Sequence, residues 1–112
     1  MNNWYEELPF AVTVSDLEGN IIYMNNRSAT TFEKYGGKEL VGKSLFGCHP
    51  EKAGNKIREM LQTHEVNAYT IEKEGLKKLI YQCPWYENGS VAGLIELSLV
   101  LPAKMPHFVR KP

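Results

Sequence analysis

Cys48 and His49 sit side by side in the string Phe46-Gly47-Cys48-His49-Pro50, the most distinctive local combination of reactive side chains in the chain. Pro50 suits the first position of a helix, whose free amides bind anions and can depress a nearby thiol pKa. Redox or ligand sensing by Cys48 is one reading. The other is a plain helix-entry turn, with His49 near the cap and Cys48 half buried. A metal centre needs about four ligands at tight spacing, which an adjacent Cys-His pair and a remote Cys83 do not supply. No metal is expected. Glu96 interrupts the apolar run Val91 to Leu101, and burial there would perturb its carboxyl. If it points outward instead, it shares its face with Ala92, Leu94 and Ser98. There is no Ser-His-Asp order with a nucleophile elbow, no Gly-rich lysine loop and no His-Glu-x-x-His pair. The expectation is a binding domain and not an enzyme.

The elements that position these residues follow from hydrophobic periodicity. Phe10 to Ser15 and Ile21 to Met24 read as strands joined by the turn Asp16-Leu17-Glu18-Gly19-Asn20. Asn25 and Asn26 can cap a short helix over Arg27 to Tyr35, which Gly36-Gly37 stops. Lys38 to Gly42 forms one further helical turn. From Pro50, the residues Ala53, Ile57, Met60, Leu61 and His64 fall on one face of a longer helix. Tyr69 and Ile71 then alternate with polar residues, Glu74-Gly75 turns into a strand from about Leu76 to Tyr86, and Glu87-Asn88-Gly89 turns into Val91 to Val100. The order β-β-α-α-α-β-β-β predicts an α+β domain, a five-stranded antiparallel sheet with helices on one face.

Composition narrows the class. The 112 residues suit one compact unit, and a hydrophobic fraction of 43% predicts a packed core. Thirteen basic and thirteen acidic residues cancel, which leaves no electrostatic footprint for nucleic acid or an anionic membrane. Val91 to Leu101 is far short of the ~20 apolar residues that span a bilayer. Met1 to Glu7 carries no signal segment, so a cytoplasmic location with two reduced thiols is expected.

The element order and the residues at its junctions resemble the PAS family of sensor domains over roughly Leu8 to Leu101. The resemblance rests on the strand Ala11 to Ser15, the turn Asp16 to Gly19, the strand Ile22-Tyr23-Met24 ending in Asn25, and the segment Glu39-Leu40-Val41-Gly42-Lys43-Ser44. It divides the chain into an aromatic N-terminal segment, 1–8, a PAS-like domain, 9–101, and a Pro-rich tail, 102–112. The Asn25 to Gly42 stretch is about one residue longer than the usual pattern. Leu99-Val100-Leu101-Pro102 replaces the Asp-hydrophobic-Thr that often joins such a domain to an output helix. Signalling is therefore expected through association with a separate partner.

The resemblance implies that a small molecule, when bound, sits between the helices and the inner sheet face. The candidates to line that pocket are Phe32, Phe46, Ile57, Met60 and Leu61 from the helical side, and Tyr69, Tyr81, Cys83, Ile95 and Leu97 from the strands. Cys48 and His64 are added for their chemistry. The alternative is that these side chains fill a solid core, which makes the domain a pure protein-interaction module. Haem needs an axial ligand over an apolar slot. The family pattern places Met60 where haem-binding members usually supply a histidine, with His64 one turn on. The flavin-binding photosensors carry Gly-x-Asn-Cys-Arg where this chain reads Gly42-Lys43-Ser44-Leu45, and Cys48 comes three residues later. Neither cofactor is favoured. Trp4, Tyr5 and Leu8, with Leu94 on the outer sheet face, are the expected contacts of a homodimer. The other outcome is that the aromatic segment folds back on its own sheet.

Overall fold

The computed structural model describes residues 3–45 and 51–112, so Phe46, Cys48, His49 and Pro50 lie outside the described residues. The chain runs β1 (Ala11–Ser15), β2 (Ile21–Met24), α1 (Asn26–Thr31), two 3-10 turns (Glu33–Tyr35 and Gly37–Leu40), α2 (Glu51–Thr63), β3 (Asn67–Lys73), β4 (Leu76–Glu87) and β5 (Ser90–Val100). The strands form one antiparallel sheet in the order β2-β1-β5-β4-β3. This is the expected α+β architecture.

Local chemistry explains each junction. The Asp16 carboxylate accepts from the Glu18 and Asn20 amides, both at 2.9 Å, and holds the β1–β2 turn closed. Asn25 caps α1 by accepting from the Ser28 amide at 2.9 Å. The helix expected to run to Tyr35 leaves α geometry after Thr31. Thr30 and Thr31 turn their hydroxyls back onto the carbonyls of Asn26 and Arg27, at 3.1 and 2.9 Å, a habit that weakens and bends helices. The two long hairpins close through Glu74-Gly75 and Asn88-Gly89, each pair at positive φ, as two-residue turns between right-twisted strands require.

The core lies between the sheet and the helices, where Ile21, Met24, Leu40, Leu45, Ile57, Met60 and Leu94 pack together. Phe32 and Leu61 pack against this cluster from its margin. Two expectations change here. The alternation of β4 and β5 is displaced by one residue from the sequence reading, so Leu94, Glu96 and Ser98 face the helices. Tyr81, Cys83, Ile95 and Leu97 accordingly point to the opposite face, where Cys83, Ile95 and Leu97 line a separate groove, and Leu94, 5% exposed, packs in the core instead of lining the expected dimer surface. The cause is that β5 is apolar on both faces, so hydrophobicity alone does not choose its phase. His64 also leaves the inner stripe. It takes φ +63° just beyond α2, its amide donates to the Met60 carbonyl at 2.8 Å, and its side chain is exposed.

A tight corner fixes the register of the central strands. The Trp85 indole Nε1 donates to the Ser15 carbonyl at 2.8 Å, passing over Gly93, while the Leu94 amide reaches Ser15 Oγ at 3.3 Å. Irregularities in pairing fall beside it, at Val14/Ser15 and Trp85/Tyr86. Among the described residues no helix is long and apolar enough to cross a membrane.

Candidate functional site

The inner sheet face carries a line of polar side chains across three strands. Asn67 Nδ2 on β3 donates to Gln82 Oε1 on β4 at 2.9 Å, and Gln82 Nε2 donates to Glu96 Oε2 on β5 at 2.8 Å. Gln82 is 4% exposed, so its amide has no solvent to turn to, and both its ends are fixed by neighbours. The relay aims Glu96 at a set position. Thr13, paired with Glu96 across β1–β5, bonds Ser28 of α1 through its hydroxyl.

Glu96 borders two hollows. The deeper one, about 10 Å³, is lined by Thr13, Leu45, Ile57, Gln82 and Leu94, and holds at most one water. The larger, about 180 Å³, is a cleft between Thr31, Phe32 and Tyr35 on one side and Tyr69, Ile71, Ile80 and Ser98 on the other. Burial first, then the Glu96 carboxylate, pushes the Tyr69 phenol pKa up. Tyr69 therefore stays a neutral hydrogen-bond donor throughout the physiological range. The cleft offers a carboxylate acceptor, the hydroxyls of Thr31, Tyr35, Tyr69 and Ser98, and aromatic walls, which is equipment for binding.

Of the residues read from the sequence, Phe32 and Tyr69 line this cleft, while Ile57, Met60 and Leu61 belong to the packed region behind it. Met60 is fully buried among apolar side chains. Asn67, Gln82 and Ser98 were not anticipated. The signal was present, since Asn67, Gln82 and Glu96 each place a polar side chain in an otherwise β-rich run. Cys83 lies on the other face, where burial pushes its thiol pKa up and makes it a poorer nucleophile. Among the described residues no group of three or more His, Cys, Asp or Glu is placed to hold a metal.

The opposite sheet face carries an apolar groove of about 590 Å³. Its floor is Val12, Val14, Cys83, Ile95 and Leu97, and its rim is Trp4, Tyr5, Leu8, Phe10 and Tyr23. The N-terminal segment is fastened to its own domain. Asn25 Nδ2 donates to the Tyr5 carbonyl at 2.9 Å, the Asn26 amide to the Glu6 carbonyl at 3.0 Å, and Lys38 pairs with Glu6 at 2.9 Å. Tyr5 stands edge-on to Tyr23, with ring centroids 5.1 Å apart. The fold-back expected as one outcome is thus present, yet Trp4 remains 78% exposed.

The Tyr23 hydroxyl is shielded from solvent and makes no hydrogen bond of good geometry. Desolvation, reinforced by the nearby Glu6 carboxylate, pushes its pKa up to about 12. Because the folded value exceeds the unfolded one of about 10, the associated stability is complete below pH 10 and is lost as pH rises through about 12. In an alkaline titration followed by tyrosinate absorbance, one tyrosine is expected to ionise near pH 12, together with release of the N-terminal segment. Replacing Tyr23 by phenylalanine should abolish that step.

The strand order, the cleft under α1 and the groove under the N-terminal segment together describe a small α+β module. The family model described as PAS fold matches residues 5–101, and the chain belongs to that family. No curated protein sequence matches it. Among solved structures, Vibrio cholerae VqmA bound to DPO is similar with a TM-score of 0.71 at 15% identity, over 88% of this chain and 55% of that one. This chain therefore spans about half of VqmA. A sensory box sensor histidine kinase from Vibrio cholerae gives 0.65 at 16% identity, over 86% of this chain and 85% of that one. The Aer2 receptor from Vibrio cholerae, described as a dual PAS-heme oxygen sensor, gives 0.62 at 16%, over 83% and 95%. At such identities the likeness is one of fold.

Proposed function

We propose that this PAS domain senses a small molecule in the Glu96 cleft and passes the signal on through a second copy, or a separate partner, on the outer sheet face. The observation that carries the reading is the Asn67–Gln82–Glu96 relay, which orients a carboxylate into a cleft with aromatic walls. Residues that merely fill a core do not need such a device. Support comes also from VqmA and Aer2, whose descriptions name a bound ligand and haem in the same fold. In this reading the module works in the cytoplasm, binds without turnover, and has no direct contact with nucleic acid.

A cavity of about 150 Å³ holds a single benzene, so a cleft of about 180 Å³ accommodates a one-ring body. His64, one of the two axial candidates, is turned to solvent, and Met60, the other, is fully buried among apolar side chains. An absorption spectrum and a native mass of protein purified from its host test the reading. A colourless dimer carrying one small molecule per chain is expected. A bare mass, together with no change on adding small molecules, would favour the pure interaction module, for which the solid packing around Met60 speaks.

The dimer has its own test. Leu97 lies in the floor of the outer groove, so Leu97→Asp sets a carboxylate where a second copy would exclude water. Sedimentation should show the dimer weakened at least 100-fold (about 2.7 kcal/mol) with an unchanged circular dichroism spectrum. A wild-type chain that sediments as a monomer at all concentrations would reject self-association.

A further inference from the structure

The β3–β4 hairpin brings two lysines to the mouth of the cleft. Ile71 pairs with Lys78 across the hairpin, and Lys73 follows Ile71 on the same face, so the ammonium groups are diagonal neighbours. Like charges so placed repel. Among the described residues neither lysine has an ion-pair partner. A second hollow of about 540 Å³ adjoins the cleft and shares Thr31, Lys73, Lys78 and Ser98 with it. It adds Arg27 and Lys34 against Glu33 and Glu74, so four cations face two carboxylates there. In a chain whose net charge is zero, this excess is a local arrangement.

Resting on the cleft being a ligand site, we propose that its ligand is a small aromatic carboxylate. The ring lies among Phe32, Tyr35 and Tyr69, and the carboxylate reaches Lys73 and Lys78. Glu96 sets the orientation. It repels an anionic head at the deep end and accepts from a hydroxyl or N–H donor there. The Glu96 and Lys78 backbones stand four residues apart along the sheet, ~14 Å at about 3.4 Å per residue. Both side chains line the cleft between those positions. The volume agrees, being about that of a one-ring cavity.

The test uses 4-hydroxybenzoate and its neutral analogue 4-hydroxybenzyl alcohol, titrated into the intact chain at low salt and followed by calorimetry and backbone amide resonances. The carboxylate is expected to bind about tenfold tighter, as two partly solvated charge pairs allow, and to shift residues of α1 and β3. The Lys73→Gln/Lys78→Gln variant should melt as wild type does and lose the preference, and added salt should shrink it. Equal binding of the two probes would overturn the carboxylate assignment and leave the cleft reading standing. Absence of any shift with either probe at millimolar concentration would overturn it too. A neutral molecule retained in the native mass measurement would then keep the cleft reading without it.

Discussion

Asn25→Ala is expected to lower stability by about 3–5 kcal/mol, a large part of what a domain of this size possesses. The side chain is wholly buried and makes four hydrogen bonds. Its Oδ1 accepts from the Val12 and Ser28 amides at 3.0 and 2.9 Å, and its Nδ2 donates to the Tyr5 and Phe10 carbonyls at 2.9 and 3.0 Å. Truncation strands two buried amides, each costing about 1–3 kcal/mol, and frees two carbonyls. Urea unfolding measures the loss. Asn25→Asp separates the two halves of the role. It keeps acceptors for Val12 and Ser28 but turns a carboxylate toward the carbonyls of Tyr5 and Phe10, so the N-terminal segment should detach while α1 persists. A loss below about 1 kcal/mol for the alanine variant would contradict the four-bond geometry.

Gly93→Ala is the second large effect, and it acts through space. An added Cβ would stand 1.8 Å from the Ser15 carbonyl oxygen and 2.8 Å from the Trp85 indole nitrogen, inside the hydrogen bond that joins them. The first obstacle is backbone of the interior strand β1, which cannot swing away as a side-chain tip does. The bond must break and β1 must separate from β5. A loss of about 3–5 kcal/mol is expected, or a melting point lower by about 15 °C, with changed Trp85 fluorescence. Trp85→Phe, which removes the donor and leaves the ring, should cost only about 1 kcal/mol. If the two variants were equally mild, the corner would be looser than its distances imply.

Much of this architecture is legible in the residues. Asp16 and Gly19 announce a turn because a carboxylate can take free amides of the turn there, as it does from Glu18 and Asn20. Asn25 announces a helix start, and Gly75 and Asn88-Gly89 announce hairpins because Gly and Asn accept positive φ more readily than other residues. The phase of the last two strands is not legible. Ile95 and Leu97 are as apolar as Leu94, and the outer face they line is itself half covered by Trp4, Tyr5 and Leu8. Two apolar faces remove the contrast on which a strand assignment depends. The Gly93 contact holds the register, and it joins residues that lie 70 positions apart in the chain, Ser15 and Trp85. His64 was misplaced for a local reason, since helical spacing was extended one residue past the point where α2 ends. The polar relay is obscured for the same reason, since the orientation of Glu96 stays open as long as the phase of β5 does.

The Asn25 amide holds Tyr5 with one end and the first turn of α1 with the other. Asn25 therefore links the rim of the outer groove to the roof of the inner cleft. Under the proposed function, the two binding events share one free-energy cycle. Whatever factor a cleft ligand applies to self-association, self-association must apply to the affinity for that ligand. A dilute, monomeric preparation and a concentrated, dimeric one would then titrate with different midpoints, and the ratio of those midpoints would measure the coupling between the two faces.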